Sequence, residues 1–179
     1  MRRSTALLLA AIAIVAVTLW GFQPETAALA WHARHGTHAG GAGLRVRLPV
    51  LYSALEGPDS LILMSPKGRA RARLSGAQGV LVFISKKMPA ALSSSETIEE
   101  WWQRTSAAAE RQGARTAGTR TLSLAGHPAH CSEFEGGFFR VGVEVWCVPE
   151  AAGGWFVDYN GPRDHVAEFY SILESAEAP

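Results

Sequence analysis

Two cysteines, Cys131 and Cys147, lie on consecutive stretches of alternating polarity, "AHCSEFEG" and "VGVEVWCV". Alternation of this kind marks strands with one buried face. In an antiparallel pair, opposing residues share a constant index sum. Setting Cys131 against Cys147 therefore centres the connection on Phe139 and puts Val143, Val145 and Cys147 on one face. A tight turn at Gly136 and Gly137 sets Gly142 opposite Cys131 instead, and the sulfurs fall out of register. A bond between them thus predicts an irregular connection through "GGFFRVG". Three readings stand open: a structural disulfide, two free thiols, or a catalytic or metal-binding pair. An oxidising compartment favours the disulfide. The lack of a C-x-x-C spacing disfavours a redox role. In the chain-entropy model, closing a loop of this size adds about 3 kcal/mol.

The compartment is read from the N-terminus. Met1-Arg2-Arg3 precedes "STALLLAAIAIVAVTLWGF", with no charge until Glu25. A basic start and an apolar run are parts of a secretory signal. The run from Ala6 to Phe22 also reaches the lower length limit for a membrane span. Ala28-Leu29-Ala30 fits an A-x-A cleavage site, so cleavage and retention as an anchor remain open for residues 1–30. Either outcome puts the rest outside the cytoplasm, in the periplasm or at the cell surface, with Arg2 and Arg3 holding the N-terminal end inside. Residues 31–43, "WHARHGTHAGGAG", lack an apolar period and read as a flexible tether. Residues 44–179 read as one domain.

Within that domain, "LRVRLPVL", "SLILMS" and "RARARL" are strand-like, and Pro49 ends the first or sets it at an edge. "GVLVFIS" is continuously apolar and predicts a central strand covered on both faces. The period then changes. Ile98, Trp101, Trp102, Thr105 and Ala109 form one helical stripe. Thr97 and Glu100 fit a capping box, and Gly113 a C′ glycine. Four strand signals follow, "TRTLSLAG", "AHCSEFEG", "VGVEVWCV" and "GWFVDYNG". "PRDHVAEFYSILES" closes the chain as a helix with Pro162 at its start and Val166, Phe169, Tyr170 and Leu173 facing inward. The expected fold is α+β: an antiparallel sheet of about six to seven strands covered by two helices, an α/β/α sandwich, preceded by the N-terminal apolar helix.

The chemistry-bearing residues are sparse. His127, His130 and Cys131 lie close together, but adjacent strand residues point to opposite faces, and zinc needs three or more converging ligands. His32, His35 and His38 recur every three residues as weak metal candidates. Glu133 and Glu135 share a strand face about 7 Å apart, as an acid–base pair does, although cross-strand pairing with arginine is the commoner use. Arg69, Arg71 and Arg73 form a cationic row that Lys67, Arg45 and Arg47 extend, a candidate surface for anionic headgroups or an acidic polymer. No aromatics interleave with it and the net charge is +1, so nucleic acid is excluded as a partner. Nucleophile-elbow, Walker, H-E-x-x-H and dinucleotide glycine patterns are absent, and no cofactor is implied.

The second half, "LAGHPAHCSEFEGG", "VEVWCVPEAAGGWFVDYNGP" and "HVAEFYSILES", resembles the PsbP-like group of exported or lumenal α/β/α proteins. Gly126, Pro128, Ala129, Ile172, Leu173 and Ser175 carry the likeness, which spans about residues 80–175. The resemblance implies a non-catalytic assembly or binding module and no catalytic residues. The expectation is an exported or membrane-anchored accessory domain whose partner is a protein or envelope component. The alternative is a small extracytoplasmic metal protein or hydrolase using His127, His130 and nearby carboxylates.

Overall fold

The structure, a computed structural model, describes residues 11–12, 14–15, 23–66, 79–87, 97–136, 139–151 and 153–179. Most of the apolar N-terminal segment, with Lys67, Arg69, Arg71 and Arg73, lies outside them. Among the described residues no helix is long and apolar enough to cross a membrane.

Helix α1 (Gln23–His35) leads into a hairpin of β1 (His38–Gly41) and β2 (Leu44–Arg47). Strands β3 (Ser53–Glu56), β4 (Ser60–Met64) and β5 (Leu81–Ser85) follow, then α2 (Ile98–Arg111). Four strands form a second run: β6 (Ala114–Leu124), β7 (His127–Gly136), β8 (Phe139–Pro149) and β9 (Phe156–Gly161). A 3-10 turn (Arg163–His165) then leads into α3 (Val166–Glu174). Among the described residues the main sheet is antiparallel, in the order β3-β4-β5-β9-β8-β7-β6. Two meanders are thus joined edge to edge, and α2 carries the chain from β5 to the far edge at β6. The α+β class, the antiparallel sheet and the helices on both faces match the expectation.

Alternation along the strands divides the core in two. One face carries Leu61, Val82, Cys131, Val145, Val157 and Tyr159, covered by the β1–β2 hairpin, Trp31 of α1, and Phe169 and Leu173 of α3. The other face is aromatic. Trp101 packs edge-on to Phe156, while Trp102 meets Phe134 and Trp146. The helix stripe therefore does lie on the sheet, and the capping box of Thr97 and Glu100 forms at its start.

Cys131 pairs with Cys147 across β7 and β8, and their sulfurs are bonded. The ladder slips between Glu135 and Gly136, as the bond requires. Beyond the slip, a Cβ at Gly142 would stand 2.2 Å from the Gly161 carbonyl oxygen, so only glycine lets β8 approach β9 there.

Three expectations need correction. Residues 31–43 are no tether: they end α1 and form the β1–β2 hairpin, burying Trp31, Ala39 and Ala42. Ala42 (φ 53°) and Gly43 (φ 68°) make its two-residue turn, a left-handed pair matched to strand twist. The Ala42 carbonyl accepts a 2.7 Å bond from Trp155 Nε1, which ties the turn to the sheet. β3 carried no strand signal that we read. β5 is interior to the sheet but not covered on both faces, since Phe83 is 37% exposed.

Candidate functional site

The inward residues of α3 put Glu168 on the neighbouring stripe with Ser171 and Ser175, at i, i+3 and i+7. That stripe borders the end of β2. Between them runs a groove of about 410 Å³, lined by Arg47, Leu48, Val50, Glu168, Ser171 and Ile172. Its size falls in the range of small-ligand sites.

Glu168 is fixed in place. Its Oε2 accepts a 2.7 Å bond from the Tyr52 hydroxyl and lies 3.1 Å from His165 Nδ1. A ring nitrogen facing a carboxylate oxygen carries its hydrogen there, which sets the His165 tautomer. Burial first, and the Glu168 carboxylate second, push the Tyr52 hydroxyl far above its ordinary range, so Tyr52 stays a donor. Glu168 Oε1 has no partner among the described residues. At the other end of the groove, the Arg47 backbone N–H donates 2.9 Å to Ser175 Oγ. The Arg47 guanidinium makes no hydrogen bond or ion pair with a described residue. A preorganised carboxylate residue, Glu168, and Arg47, whose guanidinium has no described partner, thus line one groove.

The Glu133 and Glu135 pair has a different setting. Arg163 bonds both carboxylates, with Nε 2.7 Å from Glu135 Oε1. Arg115, directly across β6 from Glu135, adds a 2.9 Å bond. Tyr170 donates 3.1 Å to Glu133, and Arg120 lies over the Tyr170 ring while pairing with Glu174. Bonds from Arg163 hold the Glu135 carboxyl below the usual carboxylate range. Here the carboxylates are occupied by arginine.

The histidines do not converge. His127 shares the Cys131 face and meets Trp155 edge-on at 5.2 Å, whereas His130 points to the α2 face and meets Trp102 at 6.2 Å. His130 borders a cleft of about 150 Å³ with Glu99 and Glu150. His32 Nδ1 and Nε2 contact the Gly36 and Pro49 carbonyls at 2.7 and 3.0 Å, and His35 Nδ1 contacts the Trp31 carbonyl at 2.9 Å. His38 Nδ1 lies 3.2 Å from the Thr37 hydroxyl. Among the described residues no three His, Cys, Asp or Glu side chains are grouped to hold a metal ion.

On the α2 face, Asp158 stands between Phe83 and Trp146 in register. Its Oδ1 is buried without a hydrogen-bond partner among the described residues, and burial pushes the carboxyl up to about 6.

Sequence reasoning marked Arg47 only as an extension of the cationic row. It missed Tyr52 and Glu168, although the inward stripe of α3 and the three-residue step from His165 to Glu168 pointed there.

No protein-family model and no curated protein sequence matches the chain. Among solved structures, the chain is similar to the solution structure of cyanobacterial PsbP (CyanoP) from Synechocystis sp. PCC 6803. The match has 11% identity, a TM-score of 0.43, and covers 77% of this chain and 88% of that one.

Proposed function

We propose that this chain is a non-catalytic binding domain that works outside the cytoplasm, delivered or held there by its N-terminal apolar segment. The observation that carries the reading is the groove at α3. Its carboxylate is oriented by Tyr52 and His165, and the groove is also lined by Arg47, which has no partner among the described residues; this supports a recognition site. Arg163 ion-pairs with both Glu133 and Glu135, which supports a structural use of these carboxylates. The Cys131–Cys147 bond supports an oxidising compartment.

Two measurements test this. A periplasmic reporter enzyme fused after Pro179 is expected to be active, and activity of a cytosolic reporter instead overturns the location. A thermal-shift screen of the full chain against charged small molecules, followed by NMR of each hit, is expected to find a stabilising ligand that stays chemically intact. Conversion of the hit to product overturns the non-catalytic reading.

A further inference from the structure

The geometry points to a ligand class for the α3 groove: a short zwitterionic peptide, its ammonium on Glu168 and its carboxylate on Arg47. This inference rests on the binding-domain reading and makes it specific. Three features select the ligand.

The first is charge. A simple anion drawn to Arg47 meets the Glu168 carboxylate in the same groove, and a simple cation drawn to Glu168 meets the arginine. A molecule carrying both signs at separate ends satisfies both. No ion pair joins Arg47 to Glu168, so neither charge is cancelled by the other. Arginine presents a fork of donors that matches a terminal carboxylate. Glu168 has Oε1 without a described partner, while Oε2 is held by two donors that fix the orientation of the group.

The second is length. Arg47 is anchored beside Ser175 by its backbone N–H, and Ser175 is seven residues beyond Glu168. Along a helix that separation rises about 10 Å. The guanidinium side chain shortens the gap from one end. Extended chain advances about 3.5 Å per residue, so two or three residues fit between the charges.

The third is the wall between the ends. Val50, 59% exposed, offers an apolar surface to a side chain on a lining that also includes the buried Leu48 and Ile172. The Ser171 and Thr37 hydroxyls on the same lining suit a peptide group.

The test is isothermal titration calorimetry of the full chain, in non-ionic detergent at low salt, with glycyl-L-leucine and glycylglycyl-L-leucine. Binding at a roughly millimolar Kd or tighter is expected. N-acetylating the peptide or amidating its carboxyl is each expected to weaken binding by at least roughly tenfold. Arg47→Ala is expected to erase the difference between free and amidated peptide, and Glu168→Gln the difference between free and acetylated peptide. Because the capped peptides probe the unmodified protein, misfolding of a variant does not mask the answer. No binding, equal binding of capped and free peptides, or an unchanged preference in Arg47→Ala overturns the inference. If peptides fail but the thermal-shift screen yields another intact ligand, the ligand class is wrong and the binding-domain reading stands. If the peptide is cleaved to glycine and leucine, the binding-domain reading falls.

Discussion

Glu133 with Glu135, and Glu168, occupy the same side of the sheet and have opposite partners. The first two are neutralised by Arg163 and Arg115 at the end of β7. The third is held by a hydroxyl and an imidazole, and Arg47 on the same groove has no partner among the described residues. The difference teaches how to separate structural from functional carboxylates. Here arginine pairs the structural carboxylates, while a tyrosine hydroxyl and an imidazole orient Glu168. Asp158 is a third case, on the other face. Among the described residues it has neither arginine nor donor at Oδ1, and burial alone pushes its carboxyl up.

The comparison can be broken in several places. Replacing both Cys131 and Cys147 with serine is expected to cost about 3 kcal/mol in chemical denaturation. The loss falls on the β7–β8 ladder that carries Glu133 and Glu135, so ligand binding at β2 and α3 is expected to survive under native conditions. Loss of binding in a folded double variant would show that the two regions are not independent.

Asp158→Asn is expected to stabilise the protein by about 3 kcal/mol at pH 8, from a shift of roughly two pK units. The folded-state value, about 6, lies above the ordinary one, so protonation favours the folded form. That contribution is complete below about pH 4 and is lost as pH rises through 6. The gain from Asn therefore vanishes near pH 4, and an equal gain at both pH values would contradict desolvation as the cause.

Arg163→Ala is expected to cost about 1 kcal/mol at pH 7, the scale of a partly exposed ion-pair network. Glu135 is held below its usual range, so its contribution is present above that range and lost as pH falls through its folded value. The cost should shrink on acidification below about pH 4, as read from thermal melts across pH. Ligand affinity should not change.

Tyr52→Phe carries the smallest stability effect, about 1 kcal/mol or less for one hydrogen bond. It should nonetheless weaken ligand binding severalfold, because Glu168 loses a fixed donor. A variant that loses stability but not affinity would make Tyr52 a purely structural residue.

Much of this architecture was legible beforehand. The α2 stripe, its capping box and the α3 face were visible because large apolar residues repeat at helical spacing between recognisable caps. The irregular turn after β7 followed from the cysteine index sum on the reading that Cys131 and Cys147 are bonded. The β1–β2 hairpin was invisible because its buried positions are Ala39 and Ala42, whose small side chains give almost no periodic signal. Its turn also uses Ala-Gly in place of the more familiar Asn-Gly. β3 inverts the usual cue, burying Ser53 and exposing Leu55. The groove was hidden for another reason. Tyr52 and Glu168 are 116 positions apart, and only the packing of α3 against the end of β2 brings them together.

The most direct measurement is a map of backbone amide chemical-shift changes in the full chain on titration with glycyl-L-leucine. The account predicts changes concentrated at Arg47, Val50, Glu168 and Ser171, with the amides of Glu133 and Glu135 unmoved. Changes centred on Glu133 and Glu135, or on Leu55 and Phe83 across the sheet, would contradict it.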